Sequence, residues 1–489
     1  MRKEPSSLIK NTQNNFLSEI SPVELLSTFD WFVFFLVFIL TIAAIIYGQL
    51  RQKSNTSAKE KFLDHLLMGR QLTLPMFIAT LVATWYGGIF GVTEIAFTSG
   101  IYNFITQGIF WYFTYIIFAL FIVSKIKSYE AVTLPNLIEK LVGPKSAKLA
   151  SLFNFLNVLP IAYIISIGLF VNIITGWNLL LSSSIGTAIV VAYSLSGGLR
   201  SVIFSDLIQF FVMCSAVFFV LIFSIAEFGG PSFLIHNLPK KYFSPTGGHS
   251  IAETLSWGFI ALSTLVDPNF YQRCFAAKDS QTARKGILLS TVIWIAFDIC
   301  TTFGAMYARA VIPEADSGQA YLIYALQVLP SGLAGFFLAG ILATILSTLD
   351  SYLFLAGTTL SYDVLEKREE NAINHQRYAV IIVSLIGLAF SSFFEGNIKS
   401  VWKLLGSYSA ACLLIPVLYA QTFTARLKDH QFLATCLTSV FVISIWKAMQ
   451  HFKLLPNIDS LYIGIACSCF LLSFFHLRNH SKESPKSNI

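Results

Sequence analysis

Charge is what this 489-residue chain lacks most. Asp, Glu, Lys and Arg together make up 12% of it, against about 25% in an average soluble domain. That shortage excludes a soluble globular fold as the starting assumption. Metal-binding patterns are also missing. The seven cysteines (Cys214, Cys274, Cys300, Cys412, Cys436, Cys467 and Cys469) show no zinc-like spacing, and only the last two lie close together. They read as small buried hydrophobes rather than ligands or disulfides. A nucleophile elbow and a Walker loop are absent, so nothing supports an enzyme. There is no low-complexity tract, heptad array or soluble domain. The first thirty residues carry no secretory pattern of a short basic start followed by a cleavage site. The formal charge of +7 sits in short loops, where it acts as a topology signal and not as a nucleic-acid footprint.

What fills the chain is apolar. Hydrophobic residues make up 55% of it, and the mean hydropathy is +0.67. At roughly 20 apolar residues per span, the runs predict about thirteen helices, at 31–50, 72–98, 102–125, 147–175, 178–196, 201–227, 251–267, 285–311, 332–363, 376–395, 399–423, 431–449 and 459–476. The expected fold is an all-α polytopic membrane bundle in contact with the lipid bilayer. Most Lys and Arg fall in one alternating set of loops: around 51–70, 125–148, Arg200, a loop at 267–285 that holds Arg273, 367–377, 426–428 and the tail. The set includes Lys53, Lys367, Arg368, Arg426 and Lys486. Basic loops face the cytoplasm. An odd helix count then places the N-terminal segment 1–30 outside and the tail 477–489 in the cytoplasm, with the chain in a plasma membrane of the bacterial inner-membrane type.

Polar residues at bilayer depth are costly and mark function by default. The apolar run 338–351 holds Thr344, Ser347, Thr348 and Ser351 at spacings of three and four, on one helical stripe, with Asp350 beside them. A lone Ser or Thr in such a helix usually bonds the carbonyl one turn back. Four on one stripe favour a hard cation such as sodium instead. Gly87, Gly88 and Gly91 fall near the middle of 72–98, where glycine weakens a helix. Two readings stand there: a broken helix that frees carbonyls for an ion, or close helix packing. Glu94 follows, as a ligand or as a hydrated vestibule residue. Asp206 and Gln209 share a face of the helix at 201–227, with Arg200 as the partner of Asp206 or Asp206 as part of a cation path. Asp298 sits mid-span among apolar neighbours. Asp267-Pro268 reads as a helix stop.

Four motifs in order resemble the sodium:solute symporter family. They are Ala83-Thr-Trp-Tyr-Gly-Gly88 after Gly69-Arg70, Gly197-Gly-Leu-Arg-Ser-Val-x-x-Ser-Asp-x-Ile-Gln209, Gln272-Arg273-x-x-Ala-Ala-Lys278, and Ala343-Thr-Ile-Leu-Ser-Thr-Leu-Asp-Ser351. The resemblance implies a LeuT-like core of ten helices in two inverted halves over 72–425. One extra helix precedes it at 31–50, and two follow over 431–476. It implies sodium bound between the first and eighth core helices by the Ser347 and Thr348 hydroxyls and the carbonyls of Ala83, Tyr86 and Thr344, a chemically sensible set of oxygens. It also implies symport of a small polar solute, with Trp85, Gly87, Gly88, Glu94, Asp206, Gln209, Asp298 and Asp350 as substrate or coupling candidates. The solute is expected near 84–91, 256–264 and 400–410. Some relatives carry an aspartate where this chain has Trp85. The positions that hold a substrate asparagine, a gating tyrosine and a lysine in sugar carriers are here Ile260, Ser263 and Trp294, which weakens a sugar reading. Proton coupling through Asp206, Asp298 or Glu94 is the alternative, and a membrane solute sensor is a more distant one.

Overall fold

In the computed structural model, residues 22–51, 58–195, 197–366, 371–422, 427–456 and 458–483 are described. Most of the segment 1–30 and the loop cations Lys53, Lys367, Arg368, Arg426 and Lys486 lie outside the described residues. The described chain is helical, and the one β-bridge found among those residues joins Leu72 to Ala277. The helices that matter here are α1 (Thr28–Leu50), α2 (Leu74–Ala83), α3 (Ile89–Ser99), α4 (Phe104–Ser128), α5 (Pro144–Asn157), α6 (Ile161–Thr175), α7 (Leu179–Ser194), α8 (Gly198–Phe228), α9 (Ile251–Leu262), α10 (Pro268–Ala276), α11 (Ser280–Val311), α12 (Leu333–Thr358), α13 (Ala372–Ser391), α14 (Ile398–Thr422), α15 (Asp429–His451) and α16 (Ser460–Glu483). Among the described residues, ten stretches are long and apolar enough to cross a bilayer. The expected spans 72–98, 178–196 and 251–267 fall instead on shorter helices.

α12 is the centre of the bundle. All of its residues except Leu333 and Phe336 are buried. It crosses α8 where a Cβ on Gly340 would come within 2.4 Å of the Ala216 methyl, so the two backbones approach as closely as small residues permit. At the opposite extreme, α1 leaves Phe32, Phe35, Ile39 and Ile46 about half exposed or more. An apolar stripe of that size fits a lipid-facing surface.

One carboxylate fastens α1 to α12. Asp30 accepts from the Ser27 backbone N–H at 2.8 Å and completes a capping box at the start of α1. Its other oxygen accepts from the backbone N–H of Gly332 at 2.6 Å and of Gly335 at 2.9 Å, at the start of α12. A Cβ on Gly335 would lie 2.0 Å from the Asp30 carbonyl, so no larger residue permits this approach. Asp30→Ala is expected to lower stability by about 1–2 kcal/mol through loss of the caps, and Asp30→Asn by much less. Thermal melts of both variants in detergent check this; equal midpoints for Asp30→Ala and the parent would overturn it.

Among the described residues, the first helix of each five-helix half is interrupted. α2 stops at Ala83, residues 84–88 are non-helical, and α3 begins at Ile89. In the second half, α9 tightens into a 3-10 turn at Ser263–Val266 and α10 restarts at Pro268. Asp267 caps α10 by accepting from Asn269 N–H at 2.8 Å, with Pro268 in the first-turn position where its missing N–H costs nothing. The expected span 251–267 therefore continues, after a break, through Ala276. Of the expected cytoplasmic loop, Pro268–Ala276 is a buried helix, and Arg273 is 1% exposed. The same residue pair that stops one helix starts the next. The feet of the two broken helices are joined by Leu72 N–H to Ala276 O at 3.0 Å and Lys278 N–H to Leu72 O at 3.1 Å. The expected helix 147–175 is also divided, between α5 and α6, just before Pro160.

Candidate ion and solute site

At the first break, oxygens from two helices gather. The Ser347 hydroxyl donates to the Ala83 carbonyl at 2.7 Å and lies 3.1 Å from the Thr344 carbonyl. The Thr348 hydroxyl lies 3.4 Å from Ala83 O and 3.1 Å from Thr344 O. Of the five expected ligand oxygens, the two hydroxyls thus each reach both the Ala83 and the Thr344 carbonyl, and Ala83, Thr344, Ser347 and Thr348 are all buried. Hydroxyls can rotate their protons away and present lone pairs, so this set can coordinate a hard cation. The bland local bonds and the inter-helix bonds coexist: each hydroxyl is shared between its own helix and Ala83. The Thr344 hydroxyl turns back to Gly340 O at 2.7 Å, leaving only its carbonyl for the cluster.

The glycines serve both packing and interruption. A Cβ on Gly87 would come within 2.4 Å of Thr348 Cβ, and one on Gly88 within 2.1 Å of the Trp402 ring. The break is therefore pressed directly onto the hydroxyl pair on one side and onto α14 on the other.

A second polar cluster surrounds Arg273. Its guanidinium donates to Ser351 Oγ at 2.9 Å and lies 3.4 Å from Thr80 Oγ1, and it also bonds Asn269. Thr80 donates to Asp206 Oδ2 at 2.5 Å, so Arg273 and Asp206 share one hydroxyl. The other Asp206 oxygen has no hydrogen-bond partner among the described residues, and the same holds for Gln209 Oε1. Asp350 accepts from Ser194 on α7. Arg200 does not pair with Asp206; it is held by Asp64 at 2.5 Å in a buried ion pair.

Asp298 is clasped by two phenols. Tyr86, from the break, donates to it at 2.6 Å, and Tyr112 on α4 bonds its other oxygen. Among the described residues no cation pairs with it. Glu94 stands apart, in an ion pair with Lys399 on α14 at 2.6 Å, with both side chains about a quarter exposed.

Beside the break lies a cavity of about 140 Å³. Trp85 and Tyr86 from the break, Trp257, Ile260, Ser263 and Thr264 from the other broken helix, and Val401, Trp402 and Leu405 from α14 all line it. These are the three segments where the solute is expected. Glu94, Asp206, Asp298 and Asp350 are not among its lining residues. Asp267 is; in the sequence it reads as a helix stop and Arg273 as a loop cation, and Thr80 is not singled out there. The available signal for Asp267 was its Asp-Pro pair, which marks a helix start as much as a stop.

A helix bundle with two interrupted helices facing one cavity is the architecture of secondary transporters. The family model for the sodium:solute symporter family matches residues 65–449, and the chain belongs to that family. It is 28% identical to the sodium/pantothenate symporter of Haemophilus influenzae over 242 residues, 46% of this chain and 50% of that protein. It is 23% identical to sodium/glucose cotransporter 4 of Mus musculus over 470 residues, 86% of this chain and 65% of that one. The chain thus spans half to two thirds of the length of these relatives. Among solved structures, it resembles a substrate-bound, outward-open Na+-coupled sialic acid symporter with a TM-score of 0.71 at 15% identity, covering 91% of this chain and 97% of that one. At that identity the likeness is one of fold: the LeuT-like bundle of two inverted five-helix halves.

Proposed function

We propose that the protein is a sodium-coupled secondary active symporter that imports a small polar organic solute across the plasma membrane, of the bacterial inner-membrane type, with its N-terminus outside and its C-terminus in the cytoplasm. Sodium binds to the Ser347 and Thr348 hydroxyls and to the carbonyls of Ala83, Tyr86 and Thr344. The solute occupies the adjacent cavity. The observation that carries this reading is the contact of the Ser347 hydroxyl with the Ala83 carbonyl at 2.7 Å, at the point where α2 stops. Family membership and the relatives' sodium-coupled names support it. Sodium bridging the break to α12 holds the first broken helix in one orientation. Loss of the ion on the cytoplasmic side frees it to rock, and coupling requires both ligands to prefer linked states.

The test is thermal stability of purified protein against sodium chloride, with potassium chloride as the control salt. A saturable, sodium-specific rise is expected, because a ligand bound only by the folded state stabilises it by mass action. The Asp298 clasp favours a second reading, proton coupling, because a buried carboxylate held by two phenols touches the same break. Uptake driven by a pH gradient in sodium-free medium, with no sodium-specific thermal shift, would select it.

A further inference from the structure

We infer that the cavity takes a small organic ammonium compound carrying an oxygen acceptor and no carboxylate; this rests on the reading of the cavity as the solute site. Its walls hold four indoles, those of Trp85, Trp111, Trp257 and Trp402. They come from four separate stretches of chain: the first break, α4, α9 and α14. Indole faces carry negative potential and attract cations, and quaternary ammonium groups are recognised by such aromatic enclosures. Among the described residues, the one charged residue on the wall is Asp267. Both backbone N–H groups it caps go to a single oxygen, Oδ1, at 2.8 Å from Asn269 and 3.4 Å from Phe270. Tyr352 lines the same cavity. The second oxygen is therefore not consumed by the helix cap.

No Lys, Arg or His lines the cavity among the described residues. Two cations stand behind the wall. Lys403 lies 5.9 Å from the Trp257 ring but pairs with Glu253 at 3.3 Å. Arg273 donates to Ser351 and Asn269, and its charge also acts on Asp267 from behind the wall. A second carboxylate, Asp298, sits one phenol away behind the wall residue Tyr86. With no cation on the wall, an anionic solute would be buried beside Asp267 without a direct partner of opposite charge, which is unfavourable, whereas a cation gains from the same arrangement. At the polar side of the cavity, Gln107 Nε2 is buried and without a partner among the described residues. An unpaired amide donor calls for an acceptor oxygen on the solute.

Choline and 3,3-dimethylbutan-1-ol differ only in having a quaternary nitrogen or a carbon at one position, so the pair isolates the charge. The full-length protein is titrated with each in sodium chloride, followed by tryptophan fluorescence and thermal shift, with pantothenate and glucose as the anionic and sugar comparisons. Choline is expected to bind at least about tenfold tighter than its carbon isostere, the scale of a desolvated cation–π contact. Asp267→Asn retains a cap acceptor and is expected to reduce that preference several-fold. Equal affinity for choline and the isostere, no saturable choline response, or tighter binding of pantothenate or glucose each overturns the inference. If any of these occurs while the sodium-specific shift is intact, symport stands and only the solute class falls. A choline response without any sodium-specific shift keeps the ammonium site and removes sodium coupling.

Discussion

Removing both hydroxyls, with Ser347→Ala and Thr348→Ala together, is expected to abolish sodium-dependent uptake and weaken sodium binding by more than about a hundredfold. Each hydroxyl contact to a charged partner is worth about 1.5–3 kcal/mol, and a factor of ten corresponds to about 1.4 kcal/mol, so losing two exceeds a hundredfold. Both hydroxyls are buried, and both converge on the Ala83 carbonyl, so bulk water does not readily replace them. Thr348→Ser, which keeps the oxygen, should keep most of the affinity. The two possible roles separate cleanly in one experiment. If the hydroxyls only pack the helices, the double variant melts earlier at every sodium concentration but retains the same half-saturating concentration. That result would sink the ion-site assignment.

Arg273→Ala is expected to cause the largest loss of stability, about 3–5 kcal/mol, the cost of removing one partner from a buried charged cluster. Its guanidinium ties α10 to α2 through Thr80 and to α12 through Ser351. Without it, Asp206 keeps its Thr80 bond but loses the positive charge of Arg273, in a region closed to water. Adding Asp206→Asn to Arg273→Ala should restore part of the loss, because the orphaned charge is then gone. Melting of the single and double variants, completed as a double-mutant cycle with Asp206→Asn alone, measures the coupling. Additive losses would show that Arg273 and Asp206 act independently and that charge balance is not what holds this cluster.

The parts of the site legible in the sequence are those that leave a local trace. The Gly87-Gly88 pair and the 344–351 stripe each carry their signal within a few residues, and the structure places them against one another. The family resemblance supplied the pairing, since nothing within either segment names its partner. Arg273 was misplaced for the opposite reason. Asn269, Tyr271, Gln272 and Arg273 look like loop composition, and only partners 78 and 193 positions away make them interior. Glu94 was open to two readings because the residue that decides between them, Lys399, is 305 positions distant. The cavity itself had no signature. An indole lining a binding site and an indole filling a core are the same letter, and Trp294, buried against Trp85 at 5.9 Å between ring centres, illustrates the second case beside the first.

Residues 84–88 place two kinds of contact on one short stretch of backbone. The carbonyl that precedes them meets the hydroxyl pair of α12, and two of their side chains, Trp85 and Tyr86, form cavity wall. With an ion on the first and a solute on the second, neither could alter the dihedral angles of this stretch without changing the binding energy of the other. Reciprocity then fixes a number that needs no knowledge of pathway or rate. Whatever factor sodium multiplies solute affinity by, solute multiplies sodium affinity by the same factor. Five residues outside either helix would in that way serve as the balance beam of the whole transport cycle.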